Sequence, residues 1–321
     1  MEPTTQAPAP SNNQALPVSL PKIERPFITL KSTWDMFVQN WKKLVPVAII
    51  PSVATYLGTV FFSFGNIFFS ILGIISVIAG VVLSIAAIAA MVKAVERLSI
   101  DPTAQISIKE YYKIGFNYFW SIIVVGIISG LVSIGGFVLL IIPGIIVSVF
   151  VAFYNYALII DGKKGLSAFI ESYQLVRGRW LAIFGRAMLV GLVGLLVTLI
   201  AGIIVSLFGG KEAPVAISGL VDILSRAIIS PISVIFIYKV YSALKAVRQQ
   251  DIDTKKFKGV LIGFSCVGAL AIVSAVAITP VVMTKNIENI RANVEAARND
   301  AEAKSLEVQR LIQEGQSVGT E

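Results

Sequence analysis

A long uncharged run of this chain reads LVPVAIIPSVATYLGTVFFSFGNIFFSILGIISVIAGVVLSIAAIAAMV and covers residues 44–92. Residues 120–160 form a second run without a charged side chain. One helical crossing of a bilayer needs roughly 20 apolar residues at a rise of about 1.5 Å each. Each run is too long for one crossing and long enough for two. The sequence therefore predicts a helical hairpin in the membrane for each run.

The composition agrees with a membrane protein, because 56% of the residues are hydrophobic and only 14% are charged. In soluble domains charged residues alone make up about a quarter. Residues 1–28 are rich in Pro, Gln, Asn and Thr, and Met1–Pro21 contains no apolar core. We predict a disordered cytoplasmic tail there and no cleaved signal peptide. Cys266 is the only cysteine, so no intramolecular disulfide is possible, and we expect it to serve packing.

A repeat organises the middle of the chain. Residues 107–120 and 167–180 align without a gap, from Ser to Trp, and a third copy ends at Trp41. Apolar residues at spacings of three and four predict an amphipathic helix in each copy, followed by a hairpin. The three units are residues 29–98, 103–161 and 165–248. Each amphipathic helix either lies flat in the headgroup layer or is a soluble connector that packs on its neighbours.

Basic residues predict the orientation in the membrane. They cluster on the amphipathic-helix side of the hairpins: Lys42, Lys43, Lys93, Arg97, Lys109, Lys113, Lys163, Lys164, Arg177, Arg179, Arg186, Lys239, Lys245 and Arg248. The opposite turns, which we expect near residues 63–66 and 133–136, carry no charge, and the third carries only Lys211 and Glu212. The positive-inside rule then places the N-terminus in the cytoplasm of a plasma membrane. The net charge of +8 favours anionic lipid headgroups as partners, and no nucleic-acid-binding module is recognisable.

A seventh apolar helix and a polar tail follow the repeats. Residues 249–258 form a charged linker, residues 259–284 a seventh crossing, and residues 285–321 an amphipathic, coiled-coil-like tail outside the cytoplasm. Apolar side chains alternate at three and four residues over 286–313, as in a heptad seam that Lys304 interrupts. This seam either pairs with a second copy, binds another protein or lies unpaired on a polar helix.

The inventory of reactive side chains is small. The chain has no histidine, one cysteine and no clustered carboxylates, so the commonest general base and the commonest metal-ligand patterns are missing. It also has no Gly-rich phosphate loop and no Gly-x-Ser-x-Gly nucleophile elbow. We expect no enzymatic activity, no metal and no cofactor.

One intramembrane polar pair is the best candidate for function. Asp222 and Arg226 lie four residues apart in an apolar run, so that both face one side of a helix. Ionisable residues inside a membrane cost about 3 kcal/mol each and are functional candidates for that reason. The plainer alternative is an ion pair near the outer interface or between bundle helices. We expect Arg186, near the start of its helix, to snorkel to the interface.

Proline and glycine predict bends and close packing. Pro143 and Pro231 lie in the return helices of the second and third units, where they would kink the helix and free backbone carbonyls. Such helix breaks line the substrate sites of some transporters. Gly126 with Gly130, and Gly259 with Gly263, have the spacing of small-residue ridges that let helices approach closely.

Five segments resemble the membrane domain family named after glycerophosphoryl diester phosphodiesterase. They are LLIIPGII at 139–146, DGKKG at 161–165, AFIESYQLVRGRW at 168–180, SPISVIFIY at 230–238 and YSAL at 241–244. The likeness covers roughly residues 30–248. It implies a membrane domain without the family's separate catalytic barrel, which uses histidine and metal-binding acids. No active-site residue is carried over.

Together these features predict an all-α polytopic bundle of about seven transmembrane helices, six of them in three repeated units of an amphipathic helix plus a hairpin. For function we favour a non-catalytic membrane module that organises or anchors at the cell envelope, with the tail as its contact surface. The alternative is a transporter or permeation unit for a small solute or lipid-related molecule, with Asp222, Arg226, Pro143 and Pro231 along its path.

Overall fold

A computed structural model describes residues 24–105, 107–209, 215–247 and 254–318. Within these ranges the chain forms nine α-helices and no strand, which confirms the predicted all-α class. The helices are α1 (Pro26–Ser63), α2 (Ile67–Ile100), α3 (Ile108–Leu139), α4 (Ile141–Phe150), α5 (Tyr154–Ile159), α6 (Leu166–Val176), α7 (Trp180–Gly209), α8 (Val215–Ala246) and α9 (Lys255–Val318). Most of the predicted N-terminal tail, most of the 249–258 linker, and Lys211 with Glu212 lie outside the described residues.

Seven stretches of the described residues are long and apolar enough to cross a bilayer, so the protein is a multi-pass membrane protein. Six of them lie in single helices, and the remaining one, Ile141–Ile159, combines α4 and α5. The number seven agrees with the sequence-based prediction.

The amphipathic segments are built in two ways. In the first and second units they continue without a break into the apolar helix, as the N-terminal parts of α1 and α3. At about 1.5 Å per residue the 38 residues of α1 extend over about 57 Å, well beyond a hydrocarbon core of about 30 Å. Only in the third unit is the amphipathic segment a separate helix, α6. There Gly178, with φ of +78°, allows the chain to turn before α7 begins.

The first hairpin turn lies where the sequence predicts it, and the second does not. Asn66 caps α2 by accepting a hydrogen bond from the Phe69 amide at 3.0 Å, so α1 and α2 are separated only by residues 64–66. The predicted second turn at residues 133–136 is wrong, because these residues are helical in α3 and the helix ends at Leu139. The interruption falls at Leu140, ahead of α4.

The chain divides into two compact units. The larger one contains residues 24–129 and 146–259 among those described. In it α1 and α2 run antiparallel: Lys43 Nζ donates to the Pro102 carbonyl at 3.1 Å, and Ser76 Oγ to the Ala54 carbonyl at 2.7 Å. Helix α8 packs against both. Side chains with no exposed surface at its centre include Leu44, Val47, Ala86, Ala90, Ala94 and Ile235. The alanines, four residues apart, form a small-residue seam on α2 that lets the neighbouring helices approach closely.

The smaller unit contains residues 130–145 and 260–321, of which the structure describes those up to 318. Its helices touch at glycines: a Cβ on Gly135 would lie 1.9 Å from the Phe264 carbonyl oxygen, and one on Gly268 would lie 2.0 Å from that of Leu131. The predicted ridges at Gly126, Gly130, Gly259 and Gly263 are wrong, since a Cβ there would meet no described atom within 4 Å. This unit groups residues 130–145 with most of α9, and the predicted membrane domain of residues 29–248 stays a prediction.

Helix α9 is one continuous helix of 64 residues. It joins the predicted seventh crossing (259–284) to the predicted tail (285–321, described up to 318), with Pro280 inside it. At about 1.5 Å per residue it is about 96 Å long, so most of its length exceeds one bilayer crossing. The Cys266 side chain is exposed on this helix, which contradicts the packing role expected for it.

Candidate functional site

Four cavities follow one another along α8 in the larger unit, and neighbouring cavities share lining residues. We name each after one residue: the Asp222 cavity of about 300 Å³, the Asn155 cavity of about 390 Å³, the Arg186 cavity of about 130 Å³ and the Lys239 cavity of about 660 Å³. Arg226 lines the first two, Ile237 the second and third, and Val240 the third and fourth. From Ser218 to Ala243 the row follows α8 for about 38 Å.

The predicted pair is formed at one end of this row. Arg226 Nε donates to Asp222 Oδ2 at 2.8 Å, and the side chains are 65% and 58% exposed in the absence of lipid. The pair therefore lies at the bundle surface and not between packed helices. Both residues line the Asp222 cavity, whose remaining walls are mostly hydroxyl side chains: Ser52, Thr55, Tyr56, Thr59, Ser84 and Ser218. The hydroxyls of Ser52, Thr55 and Ser84 donate to carbonyls of their own helices, at 3.4, 3.0 and 2.8 Å, so these three groups offer a polar solute acceptor oxygens.

The Asn155 cavity adjoins the Asp222 cavity and shares Arg226 with it. Ser52 and Ser84 line both cavities, from α1 and α2. Asn155, on α5, has a buried side-chain oxygen without a hydrogen-bond partner in the described structure. An unpartnered buried acceptor costs free energy unless a ligand or water satisfies it. This atom and the two serines give the cavity hydrogen-bonding capacity.

The two prolines occupy different settings. Pro231 lies inside α8, which continues through it, and the adjacent Ser230 lines the Asn155 cavity. Pro143 is the third residue of α4, a position in the first turn that proline tolerates, so it does not itself interrupt a helix. The chain leaves the helical conformation at Leu140 and again at residues 151–153. Ala152, in the second interruption, lines both the Asn155 and the Arg186 cavities.

The Lys239 cavity lies at the basic end of the bundle, where α1 begins and α2 and α8 end. Lys239 Nζ donates to the Ser32 carbonyl at 2.7 Å and thereby joins α8 to α1. Glu24 and Asp35 line the same cavity, as does Asn40, which is 4% exposed and donates to the Met36 carbonyl. The cavity thus presents both signs of charge.

Asp101, the residue directly after α2, organises the start of the loop that follows at the same end of the bundle. The hydroxyl and the backbone N–H of Thr103 both donate to Asp101 Oδ1, at 2.6 and 2.9 Å. These hydrogen bonds favour the ionised form and hold the pKa of Asp101 below its usual value of 3.8.

A second polar cluster ties a loop to α8. The loop 161–165 connects α5 to α6 and contains Gly162 and Gly165 at positive φ. Its Asp161 accepts a hydrogen bond from the buried Tyr241 hydroxyl and an ion pair from Lys245 Nζ at 2.5 Å. Because both carboxylate oxygens of Asp161 are bound by side chains of α8, we assign Asp161 a structural role.

Sequence reasoning missed two of these groups. Arg186 does not snorkel: it is 7% exposed, and its guanidinium donates to the carbonyls of Ala182 and Glu24. The Glu24 contact spans 162 positions of the chain, so no local pattern reveals it. The sequence gave no indication of Asn155 either, because the unpartnered state of its side-chain oxygen is evident only from the packing of the described residues.

Among the described residues no group of three or more His, Cys, Asp or Glu side chains is placed to hold a metal ion.

Comparison with known proteins gives one family. The profile of a family described as Domain of unknown function (DUF7847) matches residues 42–247, which is more than half of the chain. No curated protein and no solved structure matches. The resemblance to the glycerophosphoryl diester phosphodiesterase membrane domain stays a prediction.

Proposed function

The chain belongs to the family described as Domain of unknown function (DUF7847), and from that premise we propose that it is a non-catalytic membrane unit that lets a small polar solute pass along α8. The observation that carries this proposal is the row of four cavities with shared walls. Its length of about 38 Å along the helix compares with about 30 Å for the hydrocarbon core. A path of that length reaches both headgroup layers.

The chemistry of the row supports a polar solute. Both ends carry charged side chains, Asp222 with Arg226 at one end and Lys239 with Asp35 at the other. Between them Ser52, Ser84 and the Asn155 side-chain oxygen, which has no partner among the described residues, supply hydrogen-bond acceptors. The Arg186 cavity, by contrast, has apolar walls apart from its arginine. Intramembrane charges that face cavities mark solute pathways in membrane proteins.

For orientation we propose that the Lys239 end faces the cytoplasm of a plasma membrane. Lys43, Arg97 and Lys245 lie at the same end as Lys239, in the first part of α1 and the last turns of α2 and α8. The turn between α1 and α2, at residues 64–66, carries no charge. This arrangement follows the positive-inside rule and favours contact with anionic headgroups at the basic end.

Osmotic swelling of proteoliposomes tests the permeation proposal. Wild-type protein is expected to speed the entry of glycerol or glycine, measured by stopped-flow light scattering against protein-free liposomes. Ser84→Leu places apolar atoms in two cavities and is expected to return the entry rate to that of protein-free liposomes. Thr198→Leu is the matched control, because Thr198 lies exposed on α7, outside the four cavities. Wild-type rates equal to protein-free rates for both solutes would contradict the proposal.

A second candidate is the anchoring module that the sequence favours, and α9 supports it. Ile287, Ile290 and Val294 are 52%, 60% and 63% exposed along one side of the helix. Lys304, the charged residue in the predicted seam, pairs with Asp300 at 2.9 Å. We propose that the exposed seam of α9 binds the same helix of a second copy of the protein, because a heptad seam is complementary to itself.

A further inference from the structure

Arg186 is a buried cation without a charged partner among the described residues. Its exposed fraction is 7%, and it lies in α7 within a stretch that otherwise consists of apolar residues. Nη1 donates to the Ala182 carbonyl at 2.9 Å and Nη2 to the Glu24 carbonyl at 2.6 Å. Nε has no acceptor in the described part of the chain. Nor does any described carboxylate lie within ion-pair distance of this guanidinium.

This arrangement is energetically unfavourable unless something else neutralises the charge. Two backbone carbonyls carry partial charges only, so the guanidinium keeps its full charge in a region of low dielectric constant. An anion beside the guanidinium would supply the missing counter-charge. Guanidinium groups suit carboxylates and phosphates, because their N–H groups match two oxygens at once.

The space beside Arg186 is apolar. Among the described residues Arg186 is the only polar side chain that lines the cavity of about 130 Å³, and the other walls include Ile183, Ala187, Val190, Phe236, Ile237 and Val240. A cavity of about 150 Å³ with apolar walls accepts a group the size of benzene. The volume therefore holds about five carbon atoms of a chain, so part of a longer chain lies outside the cavity, and the walls offer the enclosed part no hydrogen bond.

We propose that the Arg186 cavity binds a monocarboxylate with a short apolar chain, such as a medium-chain fatty acid. The carboxylate pairs with the Arg186 guanidinium, and the chain lies among the apolar walls. The ligand thus has the two properties that the site combines, one negative charge and one apolar body. This inference goes beyond the proposed permeation, since a bound acid at Arg186 requires no flux.

Binding of radiolabelled octanoate to the full chain in nanodiscs tests the proposal, with empty nanodiscs subtracted. The wild-type protein is expected to bind octanoate saturably, and Arg186→Gln is expected to weaken binding at least tenfold. Excess octanol, acetate or inorganic phosphate should not displace the label, because each lacks either the charge or the chain. Ala187→Leu, which fills the cavity and leaves the arginine, should also abolish binding, whereas Thr198→Leu on the same helix should retain it.

Each other result overturns the proposal. Octanoate binding that survives Arg186→Gln, or that octanol displaces, means that the carboxylate charge of the ligand does not contribute to binding. Displacement by acetate or phosphate means an anion site without a chain pocket. If Arg186→Gln does not fold, Ala187→Leu decides, because binding retained in a folded Ala187→Leu protein excludes this cavity. Arg186-dependent octanoate binding without solute flux removes the permeation proposal alone, and flux without octanoate binding removes this one alone.

Discussion

The side chains of Asp222 and Arg226 form an ion pair one helical turn apart on α8, with Arg226 Nε 2.8 Å from Asp222 Oδ2. Both side chains line the Asp222 cavity, and Arg226 also lines the Asn155 cavity. Asp222 precedes Lys239 by 17 residues, or about 25 Å along the helix. In the orientation proposed above, with Lys239 at one headgroup layer, the pair lies near the opposite layer.

Removing one charge of the pair is expected to cost more than removing both. Asp222→Asn leaves Arg226 unpaired, and because the pair lies near a headgroup layer the cost should be below the roughly 3 kcal/mol of a charge at the bilayer centre. Asp222→Asn combined with Arg226→Gln removes both charges and should recover part of that loss. Thermal unfolding in nanodiscs measures both variants. A double variant less stable than the single one would show that the pair does not neutralise itself.

The hydroxyl of Tyr241 is expected to matter for stability. It is part of a side chain that is 1% exposed, and it donates to the Asp161 carboxylate. Tyr241→Phe removes this charge-assisted hydrogen bond at a cost of about 1.5–3 kcal/mol. Chemical unfolding in detergent should show the loss, while Tyr118→Phe, which removes a longer hydrogen bond of 3.3 Å to a backbone carbonyl, should show less. Equal losses would argue against a special role for the Asp161 network.

The α9 seam is expected to drive self-association. Ile290→Glu places a charge in the seam, whereas Asn293→Glu adds the same charge outside it. Light scattering coupled to size-exclusion chromatography should find dimers for wild type and Asn293→Glu, and monomers for Ile290→Glu. Deletion of residues 286–321 should also give monomers that still insert into the membrane. A monomeric wild type would remove the second copy as occupant, and a different protein would then be the partner to seek.

The proposed topology predicts opposite labelling of the two ends of α1. In a Cys266→Ser background, Lys31→Cys should react with a membrane-impermeant maleimide only after the cytoplasmic side is opened. Asn66→Cys, in the uncharged turn after α1, should react in intact cells. Both positions are exposed, so access to the reagent depends on the side of the membrane. Labelling of both from one side would rule out α1 as a crossing.

The sequence revealed the spans because length and polarity are local properties. The run 44–92 is long enough for two crossings, and Asn66 at its centre both interrupts the apolar pattern and caps α2. The second turn was predicted at residues 133–136 in the uncharged run 120–160, and this was wrong because α3 continues to Leu139. In the structure Gly135 instead allows a close helix contact with the Phe264 carbonyl, which only the partner helix reveals.

The candidate site was predicted only where its partners are close in sequence. Asp222 and Arg226 are four residues apart, so helical periodicity alone pairs them. The burial of Arg186 could not be predicted from helical periodicity, because one of its acceptors is the carbonyl of Glu24, 162 positions away in the chain. The cavities were unpredictable for the same reason, since three different helices supply Ser52, Ser84 and Ser230 to one space.

Thiol labelling of the cavity walls tests most directly whether a solute can enter along α8. In the Cys266→Ser background, Ser52→Cys and Ser230→Cys replace residues that line the Asn155 cavity, and Thr198→Cys is the control on the exposed face of α7. A charged methanethiosulfonate reagent reacts only with thiols that water reaches. We predict that it modifies Ser52→Cys and Ser230→Cys in proteoliposomes and leaves Thr198→Cys unmodified. No reaction at either cavity position, in protein that reacts fully after unfolding, would contradict the account.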